Sequence, residues 1–315
     1  MAFLRSPWGL VGLIALLAVV PTSFASGYQL FQLTLVVAYA MAILGLNLVT
    51  GYNGQVSLGH GAFYAVGAYV TAILMDKFDV PYWATLPVSA VVCAGVGFLL
   101  GMPALRLGGV YLALTTFALA VAIPQLLKYH LFEDWTGGVQ GVVIMKPDAP
   151  FGLPLSGDQW LYLFSLAVGV GMFILAANLV GGRIGRAMKA IRDQPLAAEA
   201  MGIDLAQFKT LTFATSAMFT GVAGSLGAIA VQFVSPDSFT VALSITLFVG
   251  MVIGGAASIS GAIYGALFIQ FIPNLADHLS KAAPGAVYGI ILIAFMFLAP
   301  GGIASLVRAR LTKTT

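Results

Sequence analysis

Apolar runs separated by short polar interruptions fill almost the whole chain. Ten runs predict membrane-crossing helices, at 8–24, 30–50, 57–75, 83–105, 109–127, 160–180, 211–233, 241–257, 261–275 and 287–307. A crossing takes about 20 apolar residues, and most of these runs reach that length. The runs at 241–257 and 261–275 are the short pair, read either as thin spans or as a re-entrant hairpin. Both readings leave the two ends of the chain on one side. Arg5, the apolar core 10–20 and Ser23-Phe24-Ala25 have the layout of a signal peptide. The expectation is nevertheless a retained first span, giving an all-α, polytopic protein of about ten segments in a single domain, 1–315.

The stretch 47–71 stands apart from this pattern. It leaves one apolar run through a glycine-punctuated polar turn, Gly51 to Gln55, and enters another. Read as a helix from Ser57, it places Ser57, His60, Tyr64 and Thr71 on one polar stripe. Gly61, Ala65, Ala68 and Ala72 form a small-residue stripe beside it, suited to close helix contact in lipid. A polar stripe in a membrane helix faces a cavity or a neighbouring helix rather than acyl chains. For His60, a structural hydrogen bond and a pathway role both stay open.

Composition makes a soluble globule untenable. Of 315 residues, 60% are hydrophobic and 8% charged, with mean hydropathy +1.00. Ordinary soluble domains carry roughly 25% charged residues. The net charge of +3 does not indicate nucleic acid, because the basic residues sit in loops beside spans. With the N-terminus in the cytoplasm, ten of the 14 Lys and Arg residues fall inside and four outside. That bias follows the positive-inside rule and puts both termini in the cytoplasm. The one cysteine, Cys93, excludes an internal disulfide and a Cys-rich metal site.

Two loops stand out. The external loop 131–159 carries Glu133, Asp134, Trp135, Asp148 and Asp158, and reads as a solvated cap or as a docking surface. The cytoplasmic loop 181–209 is basic and contains a short helical stub. Asp193 is its expected cap, Pro195 lies in its first turn and Gly202 ends it. Such a stub suits force transfer from a soluble partner, or else the loop anchors on anionic lipid. Thr212, Ser216 and Thr220 make a hydroxyl stripe expected to bond carbonyls of its own helix. A faint echo links Ser57-Leu-Gly-His-Gly-Ala-Phe-Tyr with Ser258-Ile-Ser-Gly-Ala-Ile-Tyr, as an internal repeat would.

The chain contains no Gly-Lys pair and so no P-loop. No metal-ligand spacing or dinucleotide fingerprint is present, and no cofactor is expected. Ionisable groups within the spans are nearly nil apart from His60, which argues against a proton relay. Sodium coupling stays open.

The run Gly51-Tyr52-Asn53-Gly54-Gln55-Val56-Ser57-Leu58-Gly59-His60-Gly61-Ala62-Phe63 closely resembles the signature of the branched-chain amino-acid ABC permeases, in their LivM-type branch. Ala190-Ile191-Arg192-Asp193 and Ala197-Ala198-Glu199-Ala200-Met201-Gly202-Ile203 match the same family, and the resemblance covers about 30–306. It implies the membrane subunit of an importer in the bacterial inner membrane. Its partners would be two cytosolic ATPases that use ATP, a homologous LivH-type permease in a heterodimer, and an extracytoplasmic binding protein. The resemblance also makes 181–209 a coupling loop. In the general Glu-Ala-Ala-x-x-x-Gly pattern, Leu196 occupies the acidic position and Glu199 follows instead. On this reading Asn47, Asn53, Gln55, Ser57, His60 and Tyr64 line or gate the pathway. Arg186, Arg192, Asp193, Glu199 and Gly202 frame the contact with an ATPase. Relatives of this type also move urea, short amides and other amino acids, so the substrate stays open. A self-sufficient ion-coupled carrier is the alternative from another class.

Overall fold

The structure is a computed structural model that describes residues 19–104, 109–150, 154–281 and 283–312. Most of the expected first span therefore lies outside the described residues. The first long helix, α1 (Gly27–Leu46), starts at a Ser-x-x-Gln capping box: Gln29 N–H donates to Ser26 Oγ, and Ser26 N–H to Gln29 Oε1. At its far end α1 widens without a break into a π-helical segment, Asn47–Tyr52. The chain turns there and returns as α2 (His60–Phe78).

Next come α3 (Tyr82–Ala104) and α4 (Val110–Leu127). A loop follows with the short helix α5 (Glu133–Thr136) and strand β1 (Val142–Val143). A second Ser-x-x-Gln box, Ser156 with Gln159, opens α6 (Gly157–Gly181). Then come α7 (Arg183–Asp193), α8 (Pro195–Ala200) and α9 (Leu205–Val231). Strand β2 (Phe233–Val234) pairs antiparallel with β1, Val142 opposite Val234 and Val143 opposite Phe233. The chain finishes with α10 (Val241–Gly254), α11 (Ile259–Leu279), α12 (Pro284–Leu298) and α13 (Gly302–Thr312).

The protein is all-α and polytopic. Among the described residues six helices are long and apolar enough to cross a bilayer, and α12 with α13 makes a seventh if that pair, bent by 45°, is one span. The bend falls at Ala299-Pro300-Gly301, where proline denies the helix a donor. Three expected spans come out differently. The run at 57–75 gives the 19 residues of α2, which is not among the six. The run at 261–275 is not short, because α11 extends to 21 residues. The run at 241–257 gives only the 14 residues of α10, about 21 Å against a core of about 30 Å. A 3₁₀ turn, Pro236–Phe239, precedes it.

The core forms around α9, which packs on α1, α2 and α3. Glycine makes this possible. A Cβ on Gly67 would strike the carbonyl of Gly221, and one on Gly224 would strike that of Tyr64. The backbones of α2 and α9 therefore touch, the contact through which helices associate in lipid. Gly67 is one residue off the expected 61, 65, 68, 72 stripe. The outermost helix α12 has no buried residue and exposes Ile290, Ile293 and Phe297, an apolar surface for lipid or a second subunit.

Candidate functional site

Three hydrogen bonds close the bundle at the end where α1 turns into α2. Ser57 Oγ lies 3.0 Å from His60 Nδ1, His60 Nε2 lies 2.6 Å from Ser216 Oγ, and Ser216 Oγ lies 2.6 Å from the Gly45 carbonyl. The carbonyl only accepts, so Ser216 donates to it and accepts from Nε2–H. Nδ1 then accepts from Ser57. The imidazole is thus held neutral in one tautomer, with each ring nitrogen satisfied. Ser57, His60 and Ser216 are all buried. This chain of bonds joins α1, the start of α2 and α9.

The helix does not begin at Ser57 as its spacing suggested. It begins at His60; ahead of it, Leu58 N–H donates to Thr116 Oγ1 of α4 at 2.9 Å and Gly59 N–H turns toward Ser57 Oγ. The first turn of α2 is held from outside, with Gly61 N–H donating to Ser244 Oγ of α10 at 2.9 Å.

Asn47 holds a second junction. Its Nδ2 donates to the Ser258 carbonyl at 2.8 Å, and its Oδ1 accepts from Ala257 N–H at 2.8 Å. The side chain is 1% exposed and pins the π segment to the link between α10 and α11. Gln55 is 8% exposed and reaches the Lys209 carbonyl at 3.4 Å. Asn53 is buried, and its amide has no hydrogen-bond partner among the described residues.

Tyr64 lies one turn further along α2. Its ring stands 6.2 Å from Tyr39 and 6.1 Å from Phe239, centroid to centroid. It borders a cavity of about 100 Å³ with Leu35, Gly227, Ala228 and Leu243. Of the six expected pathway residues, only Tyr64 touches this space. Ser57 and His60 meet in the bond chain beneath it, while Asn47, Asn53 and Gln55 lie nearer the 181–209 segment.

In that segment α7 presents Arg192 to the turn after α1. Arg192 Nη1 donates to the Gly51 carbonyl at 2.9 Å, Nε donates to Asp193 Oδ1 at 2.9 Å, and the side-chain stem lies against Gly54. Lys189 Nζ sits 5.8 Å from the centre of the Tyr52 ring. Asp193 does not cap the stub: it is the last residue of α7, and Gln194 is the cap. A residue before proline is driven out of the α region, and Gln194 precedes Pro195. Among the described residues, Arg186 bonds the nearby Gly181 carbonyl, at 3.4 Å, and stays exposed with Glu199. Gly202 ends the stub at φ +82° with open space around it.

Residues 28–300 match the family described as branched-chain amino acid transport system / permease component. The chain belongs to that family. The permease is 32% identical to the high-affinity branched-chain amino acid transport system permease protein LivM of Escherichia coli K12, over 88% of its own length and 70% of that protein's. It is 27% identical to a probable branched-chain amino acid transport permease protein LivH of Methanocaldococcus jannaschii, over 82% and 86% of the two chains. It is 24% identical to the permease protein BraD of Pseudomonas aeruginosa, over 85% and 92%. No solved structure matches it. The permease is thus a multi-pass membrane transport component and not itself an enzyme.

Spacing alone did not single out Tyr39 or Phe239 in this permease. They lie in separate elements and meet around Tyr64 only through tertiary packing. Ser216 was visible in the hydroxyl stripe, and its neighbours do bond their own helix, Thr212 to Phe208 and Thr220 to Ser216. Ser216 differs because Gly45 and His60 are placed to take its hydroxyl.

Proposed function

We propose that the chain is the permease subunit of an ATP-driven importer for branched-chain amino acids in the bacterial inner membrane. In this reading it forms half of the translocation pathway. A LivH-type permease supplies the other half, two cytosolic ATPases drive the cycle, and an extracytoplasmic protein delivers the substrate. The carrying observation is the two-sided character of α7 and α8. Leu196 and Met201 are 80% and 84% exposed, ready for a soluble partner, while Arg192 reaches inward to Gly51. A push on α8 therefore has a route to the π segment and, through Asn47, to α10 and α11. The family match and the relatives' names support the substrate class.

In this arrangement the 181–209 segment and both termini are cytoplasmic, and the 131–159 loop is external. The decisive measurement is uptake of labelled leucine into proteoliposomes holding the chain with two ABC ATPases and a LivH-type second permease. ATP inside the ATPase compartment and the binding protein on the opposite side should both be required. Uptake by the chain alone, driven by an ion gradient, would overturn this reading.

A further inference from the structure

The bond chain around His60 and the cavity above Tyr64 divide the bundle into a sealed end and an open one. The cavity's walls come from α1 (Leu35, Tyr39), α2 (Tyr64), α9 (Gly227, Ala228) and the region leading into α10 (Phe239). Tyr64, Phe239 and Ala228 are buried, whereas Val231 and Phe233 at its rim are 48% and 43% exposed. The cavity thus opens beside β2, on the face of the 131–159 loop, and stops at Tyr64. One turn below, Ser57, His60 and Ser216 shut the way on.

Its size and chemistry restrict what it takes. No charged side chain lines it. An engineered apolar cavity of about 150 Å³ stays dry and binds benzene. At about 100 Å³, this one has room for a branched group of roughly four carbons. Gly227 keeps the space in shape, since a Cβ there would collide with the Tyr64 hydroxyl and displace the ring that forms the floor. A free amino acid would carry its ammonium and carboxylate at the rim, in water, because nothing inside could pair with them.

Resting on the transport reading above, we infer that this cavity is a selectivity subsite within the permease, taking the branched aliphatic side chain of the substrate on its way from the binding protein. The permease then chooses by side-chain shape, a second filter after the binding protein. Mostly apolar walls with a few polar groups are the lining that ligand sites use, here at a size that holds one side chain rather than a whole ligand.

The test uses the complete transporter in proteoliposomes, with leucine and alanine presented at saturating concentrations. Ala228→Leu fills the cavity, and the leucine-to-alanine uptake ratio should fall at least ten-fold. Leu243→Ala enlarges it, and the ratio of phenylalanine to leucine uptake should rise several-fold. Equal ratios in both variants and the parent, with uptake retained, would overturn the subsite and leave the transport reading intact. No ATP-dependent amino-acid uptake by the parent would instead sink the transport reading. Should either variant fail to assemble, Leu243→Cys in a Cys93→Ala chain supplies the second measurement. Leucine should slow its alkylation by a maleimide at least three-fold and alanine should not; equal rates with both would overturn the subsite.

Discussion

Arg192 Nη1 and the Gly51 carbonyl meet at 2.9 Å across 141 residues of sequence. The bond ties α7, the helix before the short stub α8, to the π segment that ends α1. A guanidinium donating to a main-chain carbonyl survives conformational change better than a contact between two side chains, because one partner cannot rotate away. Arg192→Ala should leave the amount of permease in the membrane unchanged. It should lower coupled leucine uptake by about ten-fold, the size of effect expected when a charge-assisted hydrogen bond worth roughly 1.5–3 kcal/mol is lost. Parallel assays of ATP hydrolysis and uptake check this, with hydrolysis persisting while uptake falls.

Gly202 offers a cleaner break of the same connection. Its φ of +82° is closed to proline, and its N–H donates to the Glu199 carbonyl at 2.9 Å. Gly202→Pro should abolish coupled uptake with membrane insertion intact. Gly202→Ala should be milder, costing about 1 kcal/mol of local strain. Full uptake in the proline variant would show that the stub's end does not matter to coupling.

Replacing His60 tests the bond chain. His60→Phe keeps the bulk but leaves the hydroxyls of Ser57 and Ser216 short of a partner inside the protein. A loss of roughly 1–3 kcal/mol per buried unsatisfied group is expected, read as a lower melting temperature in detergent. Ser216→Ala should destabilise by a similar amount, since it strands the buried His60 Nε2–H, while the Gly45 carbonyl keeps a main-chain donor. The double variant should cost less than the sum of the two, because both remove the same contact.

Asn47→Ala removes two bonds at once and leaves the Ala257 N–H and the Ser258 carbonyl without their partner. A penalty of about 2–4 kcal/mol follows from two buried main-chain groups at that site. Asn47→Asp should be as damaging, since a carboxylate can take the Ala257 N–H but repels the Ser258 carbonyl. Thermal unfolding of the purified variants measures both, and wild-type stability in either would remove the clamp from the account.

Much of this architecture was legible in the sequence, where apolar length and polar stripe are local properties. The stripe through His60 and Tyr64 is real, and both residues are buried. The onset of α2 was misplaced because residues 57–59 are shaped by packing on Thr116 of α4, a tertiary contact that periodicity does not register. The α10–α11 boundary was blurred for a similar reason. Gly255 and Ala257 take positive φ values that break the run, while Ile259 and Ser260 already belong to the longer helix. What sequence could not reveal were pairings across more than a hundred residues: Asn47 with Ala257 and Ser258, His60 with Ser216, Arg192 with Gly51. Each local sequence allows such a bond, and only the fold supplies the partner.

The small ribbon of β1 and β2 ties the 131–159 loop to the segment that follows α9. Val143 pairs with Phe233, and Ile144 N–H reaches the Gln232 carbonyl at 2.9 Å. Phe233 is also a rim residue of the aromatic cavity. Under the transport reading proposed above, a delivery protein settling on the 131–159 loop would grip a lever whose far end is the cavity's doorway, and docking would itself do the unlatching.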